Sequence, residues 1–179
     1  SDLGAEVWKI EKPEGDDARR WAPPYLAEAS AVFQCLNRNK RSVSCNLRDP
    51  SSLQALKVFI QDRVDVVLQN LRPGQVQVLG LDAETLRAGK PSLIYCNIGA
   101  FGELGPMAKR PGYDPLMQAF SGIMSVNGEV GAEPLRVGLP VVDMVTGLNA
   151  ALGVLMALHE RQRSGQGQFV EATLRSEEH

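Results

Sequence analysis

Asp143 is an acid in a stretch that is otherwise apolar at helical spacing. It interrupts PLRVGLPVVDMVTGLNAALGVLMALHERQR (134–163). There Val141, Met144, Val145, Leu148, Leu152, Leu155 and Met156 recur at three- and four-residue steps, the period of an α-helix. A carboxylate in the first turn of such a helix would be held as the anion by the helix dipole and by free backbone N–H groups. An ionised carboxylate is a nucleophile able to accept an acyl group. The ordinary alternative is a first-turn acid that does no more than start the helix, and position alone favours it.

Three further groups could meet a ligand. Asn37-Arg38-Asn39-Lys40-Arg41 gathers three cations and two amides, a phosphate-binding combination. A bare charge run is more often a solvated turn before a strand. Trp21, in the polar loop over 12–24, could stack on a flat ring or anchor the loop to the core. The segment GAFGELGP (99–106) would let backbone approach a ligand closely. It is neither GxGxxG nor a Walker loop.

The elements that must hold these groups alternate. Strands are predicted over 5–11, 43–47, 64–70, 92–98 and 165–174. Helices are predicted over 51–62, 80–89, within 110–128 around Leu116, Met117, Phe120 and Ile123, and over 141–163. Gly165 stops the last helix. Buried strands alternating with helices predict an α/β fold with a largely parallel sheet. In such sheets ligands gather at loops beyond the carboxyl ends of the strands, here Asn70 to Gly74 and the loop from Gly99.

The 179 residues suffice for one domain with a core, and 44% hydrophobic with 22% charged residues is ordinary for a globular protein. A formal charge of −2 supplies no general basic field for nucleic acid or anionic membrane. Cys35, Cys45 and Cys96 are widely spaced and odd in number, which argues against a disulfide framework or a metal site and for a reducing, cytoplasmic compartment. No apolar run is expected to reach the roughly 18 residues of a membrane span, and no signal peptide is read at the start. The chain opens and closes inside strand-like segments, as a piece of a longer protein would.

Collinear blocks along nearly the whole chain carry a resemblance. They are LGAEVWKIEKPEGDDARRW, LNRNKRSVSCNL, VDVVLQNLRPG, LGLDAETL, SLIYCNIGAFGELGP, RPGYDPLMQAFSG, PLRVGLPVVDMVTGLNAALGVLMAL and RSGQGQFVEATL. In these the sequence resembles the class III CoA-transferases, the formyl-CoA transferase and carnitine CoA-transferase type. The resemblance covers about the first half of a family chain, lacking its first strand and helix and its C-terminal half, and RSEEH departs from the pattern.

The resemblance implies a Rossmann-like large domain, present in part over 1–179, and an interlocked homodimer of the full-length protein. It implies acyl-CoA and carboxylic acid substrates, with coenzyme A as substrate and no permanently bound cofactor or metal. The family pattern R-x-G-x-x-x-x-D falls on Arg136, Gly138 and Asp143 and makes Asp143 the nucleophile. That carboxylate would pass through an aspartyl anhydride and an aspartyl-CoA thioester, with oxyanion donors partly on a glycine-rich loop beyond this chain. CoA contacts would fall on Lys12, on Cys45, Asn46, Leu47 and Arg48, on Asn70, Leu71 and Arg72, and on Gly99, Ala100, Phe101 and Gly102. Val78 and Gly99 stand where some members carry an arginine and a lysine. The cellular setting implied is cytoplasmic, or mitochondrial in a eukaryote.

Two alternatives bear on the same residues. A 2-methylacyl-CoA racemase of this fold needs a histidine base in a G-H-D motif. Here the motif reads Gly112-Tyr113-Asp114, and a tyrosine with an ordinary pKa of about 10 is a poor base at neutral pH. His159 and His179 are not convincing substitutes. The other alternative is a CoA-binding fragment without turnover, against which stands the intact Asp143 block. No G-x-S-x-G elbow and no metal-spaced cluster supports a hydrolase.

Overall fold

The structure, a computed structural model, describes residues 1–108 and 110–175. The chain divides into two compact units, Ser1–Val58 and Phe59–His179.

In the first unit, β1 (Val7–Glu11) pairs in parallel with β4 (Lys40–Ser44), Val7 opposite Lys40 and Glu11 opposite Ser44. Between them lie a 3-10 turn (Asp17–Arg20), a short antiparallel pair of β2 (Tyr25–Leu26) with β3 (Ala29–Ser30), and α1 (Ala31–Leu36). Ser30 caps α1 by accepting from the Phe33 N–H at 3.0 Å, and its hydroxyl donates to the Ala18 carbonyl at 2.6 Å. The unit is organised on a buried acid. Glu11 accepts from Arg19 Nε and Nη2, each at 2.9 Å, from Ser42 Oγ at 2.6 Å and from the Asp16 N–H at 2.9 Å. Those bonds hold its pKa down at about 2, Arg19 contributing most. The Arg19 guanidinium also lies over the Phe33 ring, 4.1 Å from its centroid.

α2 (Pro50–Arg63) leads out of this unit, capped by Asp49, which accepts from the Ser52 N–H at 2.8 Å. The second unit is built on a parallel sheet in the order β5 (Val66–Gln69), β6 (Ile94–Gly99), β7 (Phe169–Thr173). Leu93, Ile94, Tyr95 and Cys96 are almost wholly enclosed, as a central strand's apolar run should be. The helices α3 (Gln75–Leu79), α4 (Ala83–Gly89), α5 (Asp114–Phe120) and α6 (Val141–Ser164) accompany the sheet. This is the expected α/β architecture with parallel pairing.

The chain departs from expectation in three places. α1, α3 and the β2–β3 pair were not anticipated, and β4 begins at Lys40 rather than at Val43. α6 does not bury its large apolar residues. It packs on β6 and β7, with Thr146, Ala150 and Ala157 buried and Gly153 partly buried. Met144, Val145, Leu148, Leu152, Leu155 and Met156 are 55–72% exposed. The reason is space. A Cβ at Gly153 would stand 2.7 Å from Val170 Cγ1, so only small residues fit between helix and strand. Thirdly, the 24 residues of α6 are, by length and composition, long and apolar enough to cross a membrane, contrary to the expectation that no stretch would be.

Candidate functional site

Asp143 lies in the first turn of α6 and is not its cap. The first-turn N–H groups of Val141, Val142 and Asp143 have no partner within the helix, and here each finds an acceptor elsewhere. Val141 donates to the Leu139 carbonyl at 2.8 Å, and the Met144 N–H makes the first bond of the helix's own ladder, to the Pro140 carbonyl at 3.0 Å. The Val142 and Asp143 N–H groups both donate to Asp114 Oδ2, at 2.9 and 3.1 Å. Asp114, at the start of α5, is therefore the residue that caps α6. Among the described residues, no side chain or backbone donor bonds the carboxylate of Asp143.

This reverses one expectation. Without N–H donors of its own, the Asp143 carboxyl is not held down as an anion. Its pKa is raised, first by partial desolvation and then by the negative charge of Asp114. Asp143 is exposed; its carboxylate is more basic, and among the described residues no protein donor has to be displaced before it attacks.

Around this helix entry, Gln118 connects α5 to the approaching chain. Its Oε1 accepts from the Val137 N–H at 2.8 Å, and its Nε2 donates to Asp114 Oδ1 at 2.5 Å, with the Leu139 carbonyl at 3.2 Å. Thr146, one turn into α6, bonds back to the Val142 carbonyl at 2.8 Å and lies 3.3 Å from the Thr173 carbonyl of β7.

The segment from Gly99 to Gly102 leaves the carboxyl end of β6. Its start is tied to the continuation of β7, because Leu174 and Arg175 donate to the Gly99 and Ala100 carbonyls at 2.9 and 3.0 Å. Gly102 has φ +80°, a left-handed conformation that glycine adopts without strain. Phe101 meets Phe120 of α5 edge to face, ring centroids 5.4 Å apart. Gly112 matters on the other side, since a Cβ there would stand 2.7 Å from that of Ala100. The loop after β5 carries Asn70, Leu71 and Arg72, all exposed. The Leu71 N–H donates to Gln69 Oε1 at 2.7 Å, and Gln69 Nε2 donates to Asn97 Oδ1 at 2.6 Å. Asn97 Nδ2 in turn donates to Glu103 Oε1 at 3.0 Å. Burial raises the pKa of Glu103, and Glu171 adds to the rise.

The remaining sequence-predicted residues lie in the first unit. Lys12 is exposed and paired with Asp17 at 2.6 Å. Cys45 follows β4; its N–H donates to the Glu11 carbonyl at 2.8 Å, and its thiol pKa is raised by burial and by Asp49. Asn46 Oδ1 accepts from the Arg48 N–H at 3.1 Å; Leu47 is half-buried and Arg48 exposed.

The basic run is more committed than its sequence suggested. Arg38 pairs with Asp2, and Arg41 pairs with Glu6 at 3.1 Å while lying over the Trp8 ring. Trp21 is exposed. Tyr113 precedes α5 and is exposed, and His159 lies near the far end of α6; His179 is outside the described residues. All three cysteines are free. Sequence reasoning missed Asp114 and Gln118. The signal available was an acid followed by proline at a helix start, with a glutamine one turn on.

The fold is a parallel α/β sheet with an acid in the first turn of a helix packed on it, and comparison with known proteins gives the family. Residues 1–177 match CoA-transferase family III, and the chain belongs to that family. It is 39% identical over 176 residues to the succinyl-CoA:glutarate CoA-transferase of Mus musculus, covering 98% of this chain and 40% of that protein. It is 38% identical to the acetyl-CoA:oxalate CoA-transferase of Acetobacter aceti, covering 97% of this chain and 45% of that protein. Among solved structures, a CAIB/BAIF family protein from Brucella suis superposes with a TM-score of 0.92 at 40% identity, over 97% of this chain and 47% of that one. The chain thus spans less than half the length of these relatives.

Proposed function

We propose that this chain carries the nucleophile and part of the CoA site of an acyl-CoA:carboxylate CoA-transferase. The observation that carries the reading is Asp143, a first-turn carboxylate that takes no part in capping its own helix and accepts no hydrogen bond among the described residues. Family membership supports it.

In the reaction proposed, an Asp143 oxygen attacks the thioester carbonyl of the donor. The C–S bond breaks, giving a mixed anhydride and CoA thiolate. The thiolate attacks the aspartyl carbonyl, which releases the donor acid as carboxylate and leaves CoA on Asp143 as a thioester. The acceptor carboxylate attacks that thioester and expels CoA thiolate again. The thiolate then attacks the acceptor's carbonyl in the second anhydride, so the new acyl-CoA departs and the Asp143 carboxylate is regenerated. Every step exchanges one acyl bond for another, so no oxidant, metal or net proton transfer is needed.

CoA contacts are proposed, as the family resemblance implies, at Lys12, Cys45–Arg48, Asn70–Arg72 and Gly99–Gly102. The loops after β5 and β6 suit this role because both leave the carboxyl ends of parallel strands. Arg48 and Arg72 are exposed cations available to phosphate. The reading includes assembly of the full-length protein as a homodimer in the cytoplasm.

The test is transfer by the full-length protein from succinyl-CoA, the donor for which several relatives are named, to a panel of carboxylic acids. Products are read by mass spectrometry beside Asp143→Asn. New acyl-CoA species that disappear in the variant support the reading. Transfer undiminished by Asp143→Asn removes Asp143 from its role.

A further inference from the structure

Two buried polar residues on α5 have no part in the bond changes above. Asp114 is 5% exposed and Gln118 1% exposed. Burying a carboxylate and an amide is costly unless each polar atom is satisfied, and here the partners are specific. Apart from the bond between their own side chains, these partners lie in the chain that leads into the nucleophile's turn or in the turn itself. Gln118 takes the Val137 N–H and reaches the Leu139 carbonyl, so it grips both ends of a three-residue approach. Its amide nitrogen holds one oxygen of Asp114, and the other oxygen of Asp114 takes the N–H of Asp143 itself.

We propose that Gln118 and Asp114 form a clasp that positions Asp143, with Gln118 orienting the Asp114 carboxylate and Asp114 holding the backbone of the nucleophile. The proposal rests on the assignment of Asp143 as the nucleophile. Both are positioning residues, since neither touches the reacting atoms.

The hydrogen-bond directions leave the clasp no slack. The Val137 N–H requires Oε1 of Gln118 on its side, which points Nε2 at Asp114 and the Leu139 carbonyl. Asp114 must then accept on both oxygens, from Gln118 and from the helix. An asparagine at 114 would set an amide N–H₂ against one of these donors. Rotating the Gln118 amide in response would break the bond to Val137. A change at either residue therefore propagates to the other and to the approach loop. The clasp also acts on charge. Asp114, from α5, is the charged group that raises the pKa of Asp143 among the described residues, with desolvation as the larger cause.

The test uses Gln118→Leu and Asp114→Asn in the full-length protein, each confirmed folded by circular dichroism. Three readouts are compared with the parent: amide exchange at Val142 and Asp143, carboxyl titration of Asp143 by carbon NMR, and kcat against KM for transfer. Both variants should exchange these two amides at least tenfold faster. Both should lose about 10- to 100-fold in kcat with little change in KM, the scale of a displaced catalytic group. Asp114→Asn should also move the Asp143 titration to lower pH. Unchanged amide exchange and titration in both variants would overturn the proposal. So would a purely global loss of stability with kcat of the folded protein within twofold of the parent. Failure of the parent reading is distinct: it shows as transfer surviving Asp143→Asn, whereas exchange and titration report on the clasp without any turnover.

Discussion

Two glycines in α6 should respond to the same substitution with opposite signs. Gly147 and Gly153 both lie inside the helix, where glycine costs about 1 kcal/mol relative to alanine. At Gly147 a Cβ would meet nothing within 4 Å, so Gly147→Ala should collect that gain and stabilise the protein by about 0.5–1 kcal/mol. At Gly153 the new Cβ would stand 2.7 Å from Val170 Cγ1. Val170 is stiff about χ1 and packs against the buried cluster of Cys96, Ala150 and Ala172, so it cannot simply swing away. Overpacking of this kind costs about 1–3 kcal/mol, which exceeds the propensity gain. Gly153→Ala should be net destabilising by up to about 2 kcal/mol. Urea unfolding followed by circular dichroism, with unchanged m-values, gives both numbers. Adding Val170→Ala supplies the internal control. It should harm the parent by opening a cavity but cost less in the Gly153→Ala background, with a coupling of about 1–2 kcal/mol in the double-mutant cycle. If Gly153→Ala stabilised the protein as much as Gly147→Ala, the close seating of α6 on β7 would be wrong.

Two other changes probe polar groups in the interior. Glu11→Gln should cost about 2–3 kcal/mol at neutral pH, because a carboxyl lowered from 4.5 to about 2 stabilises the folded chain through its ionised form. The lower end of that range allows for the partial exposure of Arg19. A depressed folded-state pKa means the contribution is complete above about pH 4.5 and is lost as the pH falls toward 2. Parent and variant stabilities measured by denaturant titration should therefore converge on acidification, and a constant difference would refute the assignment. Tyr95 donates to the Leu81 carbonyl at 2.8 Å, and burial pushes its pKa up to about 12. Tyr95→Phe should cost about 1–2 kcal/mol through the stranded carbonyl, and an absorbance titration of the parent should show a high-pH tyrosine ionisation near 12 that is missing from the variant.

Much of the second unit was legible because its signals are strong and local. SLIYCNI is a short, mostly apolar run with two isoleucines and a tyrosine, and Leu93 to Cys96 within it are the buried centre of the sheet. GLDAETLRAG carries its own cap, and Asp82 accepts from the Thr85 N–H at 2.9 Å. Other elements depend on partners that no local pattern announces. α1 is six residues long and is fixed by Ser30 and Phe33, and β4 extends back to charged Lys40 and Arg41 because β1 supplies a parallel register there. α6 misled for a different reason. A helix that is apolar on most of its circumference satisfies the periodic pattern in several orientations, and the choice between them was made by the small side of the helix, Ala150, Gly153 and Ala157. At the site, Asp143 could be found from its place in the chain. The rise in its pKa could not, because its larger cause, desolvation, depends on the packing around it, and the second, Asp114, is 29 positions away and is held there through backbone N–H groups.

The saturation of the α6 N-terminus has a consequence for how labour is divided in the proposed reaction. A helix end with open N–H groups can receive an oxyanion. This one has none to offer, since Leu139 and Asp114 occupy the three that its own ladder leaves open. Negative charge that develops on a thioester oxygen must be met by donors outside the helix that bears the nucleophile. Attack and polarisation then belong to separate pieces of the polypeptide, and each can be altered while the other is left standing. A lesion in the polarising donors would slow acyl transfer yet leave the titration of Asp143 where it was, which provides a signature for finding those donors one residue at a time.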